Sequence, residues 1–140
     1  MRYEHIWDAD TGTATCRIYD KNNVFEGVAH CHEQDSDFMS ERTGCYIAEC
    51  RAGIARLRHI RDNDLRPQLK ALKHFYYTLS HRKTFNIDNY AIKCLLAQIN
   101  MVARDLEEVK QDIKLEQQYL SDYIKNKEIM YQKVRKAKAQ

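Results

Sequence analysis

The chain has 140 residues, 44% of them hydrophobic and 31% charged, with a formal net charge of +3. Such a balance fits one ordinary folded domain with a small core, and it argues against a disordered or fibrous chain. No apolar run approaches the roughly 18 residues of a membrane span, and the opening MRYEHIWDAD lacks the basic-then-apolar order of a signal peptide, so the cytoplasm is the expected compartment.

Charge is unevenly spread. Residues 1–40 hold 3 Lys/Arg against 8 Asp/Glu, a balance of −5, while residues 41–87 hold 10 against 4, a balance of +6. An anion would be drawn to the middle of the chain.

In chain order, the first thirty residues alternate with period two and are punctuated by turn chemistry, as half-buried strands should be. Tyr3, His5 and Trp7 share one face of a first strand. The turn through Asp8 and Gly12 leads to a second strand over residues 13–19, and Asp20-Lys21-Asn22-Asn23 turns the chain into a third over residues 24–30. In the second turn, Asn is the residue expected to take a positive φ.

An acidic loop follows. Ser40 can then cap a helix with Cys45, Ile47, Ala48, Ala52, Ile54, Ala55 and Leu57 at helical spacing. This helix should end near Asp62-Asn63-Asp64, because Arg66 precedes the only proline and is pushed away from the α region. Pro67 suits the first turn of a second helix carrying Leu69, Leu72, Phe75, Tyr76 and Leu79. A turn over residues 80–87 precedes Asp88, a natural cap.

From there residues 88–138 read as one helix without Pro or Gly, its apolar positions Ile92, Leu95, Ile99, Val102, Leu106, Val109, Ile113, Leu120, Tyr123, Met130 and Val134 alternating in steps of three and four. Only Glu116 and Lys127 interrupt the seam. At 1.5 Å per residue the helix is roughly 75 Å long, so one copy is expected to leave its own seam uncovered and to oligomerise. The fold class is therefore α+β. A single domain over residues 1–140 comprises antiparallel strands (1–32), two helices and a turn (38–87), and a long heptad-patterned helix (88–138).

Five scattered cysteines without CxxC spacing suggest reduced thiols. His30, Cys31 and His32 lie together, but neighbours in an extended segment point to opposite faces, so at most two could ligate one metal ion. No nucleophile and base pair off at any local spacing, and no glycine-rich phosphate loop exists. Neither catalysis nor a cofactor is expected.

Ligand binding is better supported. Arg51, Arg58 and Arg61 recur on the first helix; His81, Arg82 and Lys83 stand beside Phe85, Asn86, Asn89 and Tyr90; and Lys93, Ala97, Asn100 and Arg104 share one face of the long helix. Guanidinium groups pair with phosphates, aromatic faces stack bases, and Asn bonds base or ribose edges. A plainer reading makes each charged face a solvated surface and Phe85 a core plug.

Three stretches taken together, TATCRIYDKNNVFEGVAHCH, EQDSDFMSERTGCYIAECRAGIARLR and the terminal helix, resemble the phage Thoeris anti-defence sponge of the first type. The most specific parts are G-V-A-H-C-H, D-F-M-S-E-R-T-G and I-A-E-C-R-A. The resemblance implies an N-terminal antiparallel sheet with long C-terminal helices, and a protein that binds and sequesters a cyclic ADP-ribose isomer without cleaving it. Some members also hold cyclic oligonucleotides at separate sites and assemble as dimers or hexamers. Such a ligand carries two phosphates, one adenine and two riboses. Residue chemistry then assigns Arg58 and Arg104 to the pyrophosphate, with Arg61 nearby, Phe85 to the adenine, and Asn86, Asn89, Asn100 and Tyr90 to the remaining polar and aromatic edges. The other readings are a helical oligomeric scaffold with no small ligand, a weak nucleic-acid binder, which the modest overall charge disfavours, and a hydrolase of the same ligand.

Overall fold

The computed structural model describes residues 1–81 and 89–140, with Asn89 described by its backbone alone. Its architecture is α+β: strands β1 (Arg2–Asp8), β2 (Thr13–Asp20) and β3 (Asn23–His30), then helices α1 (Glu41–His59), α2 (Arg66–Ser80) and α3 (Asn89–Ala139). A 3-10 segment, Glu33–Phe38, precedes α1, and a π-helical segment, Ile60–Leu65, links α1 to α2. Among the described residues no helix is long and apolar enough to cross a membrane. The chain divides into two compact units, residues 1–56 with 113–140, and residues 57–112.

In the first unit the strands pair antiparallel in the order β1-β2-β3, with Trp7 opposite Ala14, Ala14 opposite Ala29, His5 opposite Cys16 and Cys16 opposite Gly27. Period-two alternation therefore puts Ala14, Cys16 and Ile18 of β2 on one buried face with Phe25, Gly27 and Ala29 of β3. The expected common face of Tyr3, His5 and Trp7 is the same one. On the outer face Arg17 pairs with Glu26 at 3.0 Å, and the Tyr19 hydroxyl donates to Glu4 at 2.8 Å.

Small residues decide how α1 covers the sheet. A Cβ at Gly27 would stand 2.1 Å from the Ala48 carbonyl oxygen and 2.4 Å from the Ala52 nitrogen, so helix backbone rests directly on strand backbone. Ala48 and Ala52 are fully buried there. Gly44 repeats the device one turn earlier, where a Cβ would lie 3.0 Å from the Trp7 ring. Ser40 caps the helix as expected, its hydroxyl accepting from the Thr43 N–H at 3.3 Å.

The turns follow the expected chemistry with one correction. Asp8 accepts from the N–H of Asp10 at 3.0 Å, and Gly12 takes φ +65°. In the second turn, however, Lys21 and not an asparagine takes the positive φ of 55°. The tight pairing of Asp20 with Asn23 leaves Lys21 first in the loop, and register outweighs residue preference.

In the second unit the helix boundary expected at Asp62-Asn63-Asp64 does not form. The chain stays helical through Ile60–Leu65, and Arg66 keeps φ −61°, ψ −48° before Pro67. The wider π turn explains it: the Arg66 N–H reaches back five residues to the Arg61 carbonyl, which relieves the clash a proline ring makes in a regular α-helix.

The long helix begins and ends close to its expected limits, but the expectation that its seam stands uncovered is corrected. Leu95, Ile99, Val102, Leu106 and Ile113 are only 4–8% exposed within a single chain. A helix of this length standing alone would leave its seam bare, whereas here the rest of the same chain covers this stretch. The second unit also contains α2's half-buried stripe of Leu69, Leu72, Tyr76 and Leu79, spaced as a helix face should be. Farther along, Met130 is 45% exposed, and Tyr123 and Tyr131 meet aromatic partners described below.

Candidate functional site

In the second unit, the residues singled out for a phosphate ligand lie on the surface. Arg58 is exposed, and Arg61 donates through two nitrogens to the two carboxylate oxygens of Asp62 at 2.8 and 3.0 Å. Arg66 reaches the same carboxylate at 2.7 Å. The Asp62 carboxyl is held below its usual range, first by the Arg61 bond, so a phosphate would have to compete for Arg61 with an ionised partner.

On α3 the structure brings Lys93, Ala97, Asn100 and Arg104 onto one exposed face, with Tyr90 close to the same line and 73% exposed. At 100° per residue this stripe lies opposite the buried stripe of Leu95, Ile99, Val102 and Leu106. The polar stripe is thus the solvent side of the helix. Phe85 and Asn86 lie outside the described residues, as do the Asn89 side chain and the Asp88 cap.

The first unit holds an arrangement that no single stretch of the sequence carries. A cavity of about 160 Å³ opens between the sheet, α1 and the C-terminal part of α3. Its apolar walls are Trp7 from β1, Ala29 from β3, Ile47 from α1 and Ile124 from α3. Thr43, Ile47 and Arg51 reach it from one face of α1 at spacings of four, and Ile124, Lys127 and Tyr131 from one face of α3. A more open recess of about 610 Å³ shares His32, Asp35 and Glu128 with it and adds Arg135.

Each polar group there has a definite setting. Arg51 donates to the Val28 carbonyl on strand β3 at 2.6 Å. The Lys127 ammonium stands 5.5 Å from the centre of the Tyr123 ring, which itself meets Tyr46 at 4.5 Å. The 3-10 segment closes one side. Phe38 stacks on Tyr131 with ring centres 4.3 Å apart, and Arg135 lies over Phe38 while donating to Asp35 at 2.6 Å and to the Gln34 carbonyl. Burial pushes the Tyr131 phenol up, so its hydroxyl stays protonated and able to donate.

Of the His30-Cys31-His32 run, His30 is held through Nδ1 by Thr13 at 2.8 Å, and the Cys31 thiol donates to the Asp35 carbonyl at 3.4 Å. Burial, with the Asp35 charge behind it, pushes the Cys31 thiol up; burial also raises Cys16, Cys45 and Cys50. Protonated thiols are weak nucleophiles and weak metal ligands. Among the described residues no cluster of three or more His, Cys, Asp or Glu could hold a metal ion.

Comparison with protein-family models, with characterised proteins and with solved structures finds no match. One signal for the cavity was present in the sequence. Lys127 occupies a seam position where an apolar residue is due, and a half-buried lysine in such a slot marks a place where the helix meets something other than hydrocarbon.

Proposed function

We propose that the protein binds and sequesters a cyclic nucleotide immune signal of the cyclic ADP-ribose type without cleaving it, acting as a phage anti-defence protein in the cytoplasm of an infected bacterium. The observation that carries this reading is the solvent-facing stripe Lys93, Ala97, Asn100 and Arg104 on α3. It offers cations at both ends, an amide between them and a small alanine where a ligand can approach the helix backbone. The stripe spans about 16 Å from Lys93 to Arg104, enough for two phosphates and a base. The raised, protonated thiols of Cys16, Cys31, Cys45 and Cys50 are poor nucleophiles, which supports binding without chemistry. Phe85, Asn86 and Asn89 remain candidates for the base and ribose edges, and cyclic oligonucleotides are candidate second ligands.

Isothermal titration with cyclic ADP-ribose isomers, followed by heat release and chromatography of the ligand, tests the proposal. The expected result is one-to-one binding tighter than about micromolar, unaltered ligand on release, and affinity about tenfold or more weaker in Arg104→Ala. A cleaved ligand, or no isomer binding below that range, would overturn it.

A second reading, a helical oligomeric scaffold with no small ligand, is favoured by one observation. Leu115, Tyr119, Ile129 and Met130 of α3 are 45–60% exposed in the single chain. It predicts a defined oligomer in sedimentation velocity that dissociates in Leu115→Glu/Tyr119→Glu, with no heat in the titration.

A further inference from the structure

The cavity of the first unit shares no residue with the α3 stripe of the preceding proposal. Its size, walls and charge define the chemistry it can accept.

At about 160 Å³ it matches the space occupied by one small ring; an apolar cavity of about 150 Å³ takes up benzene. Trp7, Ile47, Ile124 and Tyr131 supply flat and branched apolar surface for such a ring. The polar groups make a purely apolar guest a poor fit. Asp35 is neutralised by Arg135 at 2.6 Å. Among the described residues, Arg51 and Lys127 have no carboxylate partner, and Arg51 spends only one nitrogen, on the Val28 carbonyl. Among the described residues, Glu128 is the one carboxylate on the wall without a cation partner. Two spare cations and one spare carboxylate thus line the cavity beside its apolar walls.

We propose that this cavity is a binding site for a small aromatic anion, a single planar ring carrying a carboxylate or a phosphate monoester. The ring lies against Trp7 and Ile47, and the anionic group takes the free donors of Arg51 and Lys127, with the Thr43 hydroxyl as a further donor at the cavity wall. The 3-10 segment pinned by Arg135 walls the ring in on the side of Phe38.

Trp7 is the only tryptophan in the chain, so its fluorescence reports from the wall of this cavity. Benzoate and phenyl phosphate, titrated separately, represent the carboxylate and the phosphate; benzylamine reverses the charge on the same ring. A saturable change in Trp7 emission is expected with at least one anion and none with benzylamine. Lys127→Met, which keeps the apolar stem, should weaken the response about tenfold or more, and Ile47→Phe, which fills the space, should abolish it. Amide shifts at Gly12, Gly44 and Lys127 in ¹⁵N spectra should accompany binding. No saturable change with either anion, equal binding of benzylamine, or an unaltered response in a folded Lys127→Met would each overturn the proposal.

Discussion

In the unit of residues 1–56 and 113–140, α1 sits on β3 at a point where Gly27 has no side chain and the two backbones come into contact. The unit of residues 57–112 does the reverse, burying Leu95, Ile99, Val102 and Leu106 along α3 as branched side chains. Close backbone approach tolerates no added atom, because neither backbone can rotate away. A stripe of branched side chains has rotamers to spare, and it loses stability in proportion to what is removed. The units also differ in their polar links. The first ties distant segments together, Arg135 to Asp35 and Arg56 to Asp20, whereas among the described residues the ion pairs of the second link residues within four positions of each other.

The largest effect expected from this contrast is at Gly27. Gly27→Val puts atoms inside the Ala48 carbonyl and should cost more than about 3 kcal/mol, seen as loss or a large downward shift of the urea transition followed by Trp7 emission. If the variant melts like the parent, the close approach of α1 to β3 is not what holds the first unit together.

Next comes the branched stripe. Ile99→Ala should cost about 2–4 kcal/mol in chemical denaturation followed by far-UV circular dichroism, since it removes buried methyl groups and leaves a cavity. A cost below about 1 kcal/mol would mean that the stripe is not packed.

A smaller effect is expected at the ion pair of Arg56 with Asp20, whose 2.8 Å bond holds the Asp20 carboxyl below its usual range. A folded value below the ordinary aspartate value of about 3.9 gives stability that is fully present above that pH and is lost as pH falls through the folded value. Arg56→Met should therefore lower the melting temperature at pH 7, and the difference from the parent should close as pH falls from about 4 toward 2. A difference that persists unchanged at pH 2 would assign the effect to packing of the arginine stem.

The smallest effect has the opposite sign. A Cβ at Gly53 meets nothing within 4 Å, so Gly53→Ala in the same helix should raise stability by up to about 1 kcal/mol in the same urea titration. Destabilisation there would show that α1 tolerates no change on any face.

Much of the fold was legible in local pattern. Strand limits, the Ser40 cap and the extent of α3 follow from period, turn residues and the absence of breakers, which act within a few residues. Arg66-Pro67 misled, because a proline signals a strained hydrogen bond without saying whether the chain breaks or widens into a π turn. The candidate site was legible only in part. Arg58, Arg61, Tyr90, Asn100 and Arg104 could be named from chemistry, yet the engagement of Arg61 by Asp62 depends on the local helical geometry of the π segment.

By itself the sequence determined what each segment is: three strands, helices at their spacing, and a seam that must be buried. Those properties come from backbone preferences and side-chain periodicity, and both are local. Tertiary structure alone decided that the seam over Leu95–Ile113 is covered by its own chain. It alone gathered Trp7, Arg51, Lys127 and Tyr131, up to 124 positions apart, around one cavity. Such distances are closed by packing, which depends on where Gly27 and Gly44 let elements touch and which no segment carries in its own pattern.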